Sequence, residues 1–209
     1  MWMFKNQGRV LLLAVMGFAV SASAQQKGTF TDGRDGQTYK TVKIGNQTWT
    51  AENLRFKVGD SWCYENNADN CKKYGMLYDK KMAAIACPKG WHLPRSREWD
   101  ELKTMVGSTK TVGKKLKSTS GWYNFIKERD SGNGNGTNDY GFSALPGGFC
   151  DTSGDCKGLG ANGVWWEQSD FSSEDLFGIF MSNEDDGVGE ALGKFKEDKS
   201  FSVRCIADN

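Results

Sequence analysis

Six cysteines in a glycine-rich chain constrain the fold more than any other feature: Cys63, Cys71, Cys87, Cys150, Cys156 and Cys205. Two pairs lie close together across turn-forming residues. Cys63 and Cys71 bracket Tyr-Glu-Asn-Asn-Ala-Asp-Asn, and Cys150 and Cys156 bracket Asp-Thr-Ser-Gly-Asp. Six cysteines allow fifteen pairings, so spacing alone does not select one. If each near pair closes its own loop, Cys87 is left to Cys205. That bond would close a loop of roughly 100 residues, for which the chain-entropy model assigns about 4.7 kcal/mol. No pair has the two-to-four-residue gap of a zinc knuckle, so disulfides are expected rather than metal.

Disulfides imply an oxidising compartment, and the start of the chain agrees. Lys5 and Arg9 precede an apolar run from Val10 to Val20, and Ala22-Ser23-Ala24 suits a cleavage site before Gln25. The expectation is a signal peptide over residues 1–24 and one domain over 25–209. The apolar run is shorter than the ~20 residues a spanning helix needs, so no transmembrane segment is expected in the mature chain. The whole chain has 27 basic and 26 acidic residues; loss of Lys5 and Arg9 leaves 25 against 26. That balance gives no basic footprint for nucleic acid.

Gly45-Asn46 between the alternating runs Gln37–Ile44 and Gln47–Ala51 predicts a hairpin with a type II′ turn. Residues 76–86 predict a helix stopped by Pro88. A second helix is expected after Ser96 as N-cap, with Trp99, Leu102, Met105 and Val106 on one face and Gly107 at its end. Phe201, Val203 and Cys205 alternating with Ser202 and Arg204 predict a half-buried terminal strand. The fold class expected is α+β, with two early helices, short antiparallel strands and long loops.

Ordered sequence blocks add a resemblance. Asp32-Gly33-Arg34-Asp35-Gly36-Gln37-Thr38-Tyr39, Gly90-Trp91-His92-Leu93-Pro94, Tyr140-Gly141-Phe142-Ser143-Ala144-Leu145-Pro146-Gly147-Gly148, Trp165-Trp166 and Ser202-Val203-Arg204-Cys205 resemble the Fibrobacter succinogenes major paralogous domain, over about residues 30–207. The resemblance implies an extracytoplasmic domain of C-type-lectin-like fold, a scaffold shared with formylglycine-generating enzymes. A helix-to-last-strand disulfide is typical of that fold, in agreement with Cys87 to Cys205. The resemblance supplies no catalytic motif.

Candidate chemistry is sparse. His92 is the sole histidine and sits in a block that reads as structural, which argues against a serine hydrolase. Gly158-Leu159-Gly160-Ala161-Asn162-Gly163 has the letters of a dinucleotide loop, but Val164-Trp165-Trp166 after it favours a strand where the motif needs a helix. Cys150 and Cys156 invite comparison with a copper-binding thiol pair, yet Asp151 and Asp155 beside them disfavour thiolates. Asp130, Asn133, Asn135, Asn138 and Asp139 supply hard oxygen donors suited to weak calcium binding, and no other cofactor is expected. They lack EF-hand order, and the lectin sugar motifs Glu-Pro-Asn and Trp-Asn-Asp do not occur. Glu184, Asp185 and Asp186 read as a solvated face.

The aromatic pairs remain. Trp165 and Trp166, on a strand, would face opposite sides, one in the core and one available to a ligand. Trp122 or Tyr123, with Glu167 and Asp170, would complete a surface that stacks on and hydrogen-bonds a sugar. The expectation is a secreted or cell-surface binding or adhesion module without catalysis, with a polysaccharide or surface protein as partner. A formylglycine-generating-type cysteine oxidase and a structural envelope protein are the alternatives.

Overall fold

A computed structural model describes residues 25–127, 130–171, 176–191 and 198–208. The expected signal peptide over residues 1–24 lies outside the described residues. The first strands are β1 (Lys27–Thr31), β2 (Thr38–Ile44), β3 (Gln47–Thr50) and β4 (Ser61–Trp62). Then come α1 (Ala68–Tyr74), β5 (Leu77–Tyr78), α2 (Lys80–Ala86), β6 (Trp91–His92), α3 (Ser96–Val106) and α4 (Val112–Leu116). The second half is strands: β7 (Asn124–Lys127), β8 (Asp130–Asn133), β9 (Gly147–Asp151), β10 (Cys156–Leu159), β11 (Asn162–Gln168), β12 (Leu176–Ser182), β13 (Gly189–Ala191), β14 (Lys199–Ser200) and β15 (Ile206–Ala207). The class is α+β, as expected.

One sheet runs β1-β2-β3-β15-β6, and another β10-β9-β11-β12-β13 with β14 joining β9. The Gly45-Asn46 turn is present, with left-handed φ at Gly45 (61°) and not at Asn46, the type II′ pattern. β15 inserts Ile206 between Trp49 of β3 and His92 of β6, so the first and last described strands share a sheet. All three disulfides form as paired above: Cys63–Cys71, Cys87–Cys205 and Cys150–Cys156. Cys150 and Cys156 face each other across the β9–β10 ladder, so strand register brings that pair together. Three closed bonds fit an oxidising compartment. No helix among the described residues is long and apolar enough to cross a membrane.

Local sequence explains most helix ends, and four expectations about the helices need correction. The helix expected over 76–86 starts only at Lys80, because Leu77 and Tyr78 pair with β4 and the Asp79 carboxylate accepts from Met82 N–H at 2.7 Å. Arg95, not Ser96, occupies the N-cap of α3; its N–H donates to the Glu98 carboxylate at 2.8 Å. Trp99, Leu102 and Val106 are buried, whereas Met105 is 55% exposed and lies over the Gly45 turn. There are also two more helices than expected. α1 and α4 span seven and five residues, too short to print an amphipathic period.

The largest correction concerns the end of the chain. Residues 201–206 are buried throughout rather than half-buried, polar Ser202 and Arg204 included. The segment lies between neighbours on both sides. Phe201 exchanges backbone bonds with Tyr78, Ser202 bonds Val164 and Trp166, and Leu54 N–H donates to Val203 C=O at 2.9 Å. Arg204 donates to Asn53 Oδ1 (2.7 Å) and to the carbonyls of Thr50 (2.9 Å), Phe142 (2.6 Å) and Ser143 (2.8 Å). Burial pushes its pKa down to about 9, still high enough to keep the guanidinium charged at neutral pH. Such a charge is tolerable only because its donors are satisfied.

β11 separates two aromatic cores. Trp165 packs with Val42, Trp49, Trp99, Phe142 and Ile179 on one side; Val164 and Trp166 pack with Tyr39, Leu54, Tyr78 and Phe201 on the other. Loops 107–111 and 183–188 lie at the edge of the first core.

Candidate functional site

The period-2 reading of β11 is right about direction and wrong about exposure. Trp165 and Trp166 point to opposite faces, yet they are 0% and 4% exposed. Each indole N–H also has a buried partner: Trp165 donates to Asn53 Oδ1 at 2.8 Å and Trp166 to Tyr78 C=O at 2.7 Å. Neither ring is open to a ligand, because both faces of β11 are covered. Trp122 is likewise buried, its N–H bonded to Ser118 Oγ and Ala144 C=O. Tyr123, the next residue, is 60% exposed. Of the four aromatic residues named for recognition, only this one presents a surface.

The acidic members of the expected site hold α3. Asp170 accepts from the Arg97 N–H at 2.8 Å, at the first turn of the helix. Glu167 is buried beneath that helix, not extended into solvent. Burial and the nearby Glu190 carboxylate push its pKa up to about 7, against the weaker opposing pull of Lys103 and the Ser96 hydroxyl. Lys103 itself bridges Asp100 at 2.7 Å and Glu190 at 3.5 Å. Above this cluster runs a groove of about 500 Å³ lined by Asp100, Lys103, Thr104, Thr109, Val112 and Val188. The sequence did not point to the groove, since it joins α3 to a loop some 80 residues away.

The oxygen-rich loop is mostly engaged with its own backbone. Asn133 Oδ1 accepts from Asn135 N–H at 3.0 Å, Asn135 Oδ1 from Trp122 N–H at 2.9 Å, and Asn138 Oδ1 from Ser143 N–H at 2.8 Å. The side chain of Asp130 lies outside the described residues, and Asp139 is exposed. Among the described residues no group of three or more His, Cys, Asp or Glu side chains could hold a metal ion. Of the acidic run, Asp186 pairs with Lys114 at 3.3 Å, while the Asp185 and Ser182 carbonyls accept from the buried Lys117 ammonium at 2.9 and 3.0 Å.

His92 is half-buried, and both ring nitrogens meet carboxylates. Nδ1 lies 2.7 Å from Asp208 Oδ1, and Nε2 3.0 Å from Glu98 Oε1. The Glu98 hydrogen bond raises its pKa; burial opposes this, and Asp208 adds to the rise. The ring clips the end of the chain to the first turn of α3. Cys150 and Cys156 are bonded to each other, and the glycine motif at 158–163 is a strand–turn–strand, with β11 where a phosphate loop needs a helix.

The architecture is therefore an α+β domain stapled by three disulfides, with its first and last described strands in one sheet. A model of the Fibrobacter succinogenes major domain matches residues 42–207, and the chain belongs to that family. Searches of curated proteins and of solved structures gave no match.

Proposed function

We propose that this chain is an exported, non-catalytic binding module for polysaccharide at a cell surface or in the extracellular medium, built on a C-type-lectin-like scaffold. The return of β15 beside β3 and the Cys87–Cys205 bond support that scaffold. The observation that carries the binding reading is the contrast at Trp122-Tyr123. A core-anchored pair leaves one aromatic ring 60% exposed on a disulfide-stapled frame. The bonded state of Cys150 and Cys156, with Cys150 fully buried, favours binding over thiol-based oxidation. The two carboxylates on His92 favour a structural role for that ring over general-base catalysis.

The test is a screen of residues 25–209 on a glycan and polysaccharide panel, in calcium and in chelator. Binding without release of reducing sugar is expected. Because Asn133, Asn135 and Asn138 already close turns, calcium is expected to act weakly. Turnover of a substrate, or no binding anywhere on the panel, would overturn the reading.

A further inference from the structure

We infer that Tyr123, seated flat on Gly160, is a fixed stacking platform for neutral, equatorially substituted pyranose rings. The inference rests on the polysaccharide-binding reading and names where and what the module binds.

The backbone of Tyr123 is clamped. Its N–H donates to Gly160 C=O at 2.7 Å, and its own C=O accepts from Asn183 Nδ2 at 3.3 Å. Asn183 N–H in turn donates to Ala161 C=O at 2.8 Å, so both sides of the platform share one turn. The preceding Trp122 is anchored in the core.

The ring position follows from the glycine beneath it. A Cβ on Gly160 would lie 2.4 Å from Tyr123 Cζ and 2.6 Å from both Cε atoms. Near-equal distances to three atoms of the phenol end describe a ring lying face-on, not edge-on. Only a residue without a side chain permits that approach, and the φ of 78° at Gly160 also suits glycine. One ring face is therefore spent on the backbone, and the exposure belongs to the opposite face and rim. A clamped ring has little freedom left to lose when a ligand stacks on it.

An aromatic face carries negative quadrupole density and attracts the electron-poor axial C–H groups of a sugar ring. Rings with equatorial hydroxyls present flat C–H faces on both sides, whereas an axial hydroxyl blocks the face that carries it. Charge narrows the class further. Glu65 N–H donates to Cys156 Sγ at 3.4 Å, which sets Glu65 beside Asp155 at the start of β10, the strand that ends next to Gly160. Asp155 pairs with Lys157 at 2.7 Å, and Glu65 stands exposed, leaving a local acidic excess. Uronate or sulfated polymers would be repelled. Unsubstituted β-glucans and xylans fit; polygalacturonate does not.

The test is co-sedimentation of the purified protein with insoluble cellulose and xylan, with polygalacturonate gel as the charged comparison. Wild type should bind the neutral polymers and leave polygalacturonate unbound. Tyr123→Ala should weaken binding at least about tenfold, with its melting temperature unchanged, and Tyr123→Phe should stay within about threefold of wild type. Ile126, 87% exposed on the β7–β8 hairpin, serves as the control, and Ile126→Ser should bind like wild type. Equal binding by wild type and Tyr123→Ala would overturn the platform and leave the binding module standing. Loss in Ile126→Ser alone would move the contact to the hairpin and also overturn it. No binding by wild type to any of these polymers, but binding elsewhere on a wider panel, would overturn the sugar class; no binding on the wider panel would overturn both readings.

Discussion

Trp165-Trp166 and Trp122-Tyr123 are both adjacent aromatic pairs, and they end in different places. In each pair the two side chains point apart. β11 has a core on either side, so both of its tryptophans vanish from the surface. Trp122-Tyr123 has a core on one side and only a glycine turn on the other, so Tyr123 keeps an open face. Alternation assigns directions. What lies in each direction is decided by segments far away in the chain: Tyr78 and Phe201 for Trp166, Gly160 for Tyr123.

The largest expected effect would break this comparison if it failed. Trp165→Ala and Trp166→Ala should each destabilise the fold by about 3–5 kcal/mol, the usual result of emptying a large aromatic site. Tyr123→Ala should stay within about 0.5 kcal/mol of wild type, as for an exposed position. Urea unfolding of the three variants measures the contrast directly. A Trp166→Ala variant as mild as Tyr123→Ala would mean that the second core does not exist as described.

Next in size is Glu167, which follows the buried tryptophans on the same strand. Its folded-state pKa, about 7, lies above the ordinary 4.5. The protonated form is therefore favoured by folding. Its contribution is complete below pH 4.5 and is lost as pH rises through 7. Glu167→Gln removes that loss, and at pH 8 it should be more stable than wild type by about 3 kcal/mol. At pH 4 the two should unfold alike. A variant less stable than wild type at pH 8 would show that the Lys103 attraction outweighs burial.

The smallest effect belongs to His92, because its ring is partly exposed and screened. Its pKa is raised, so its contribution is complete below the ordinary 6.5 and fades as pH rises through the folded value. Glu98 moves the other way. Burial opposes the shift, but hydrogen bonds from His92 and the Arg95 N–H hold it below 4.5, so its part fades only in stronger acid. The clip should be firmest between about pH 4.5 and 6.5. His92→Gln should lower the melting temperature most inside that window, by less than the Glu167 effect. Equal effects at pH 5.5 and 9 would remove the ion pairs from the account.

Much of the frame was legible without coordinates. Gly45-Asn46 specifies its hairpin through the turn it can form, and Gly107 ends α3 because a left-handed φ stops a helix there. The two near cysteine pairs are short-loop events, and with them closed Cys87 and Cys205 were the remaining partners. These features depend on a few neighbouring residues, so local chemistry determines them. Of the six residues expected at the ligand surface, one has the side-chain exposure that sequence implied. Tyr123 kept its exposure, whereas Trp122, Trp165, Trp166 and Glu167 were buried, and Asp170 was taken up by the first turn of α3.

By itself, the sequence determined the α+β class, the hairpin, the main helix and the opposite directions of Trp165 and Trp166, which follow from short-range pattern and spacing, and the family, through the resemblance of ordered blocks along the chain. Tertiary structure alone decided that residues 201–206 are enclosed, that Arg204 is satisfied by four oxygens, that Glu167 loses its water and that Tyr123 rests on Gly160. Burial, desolvation and stacking depend on which distant segments cover a side chain. That information is not carried by the residues on either side of it.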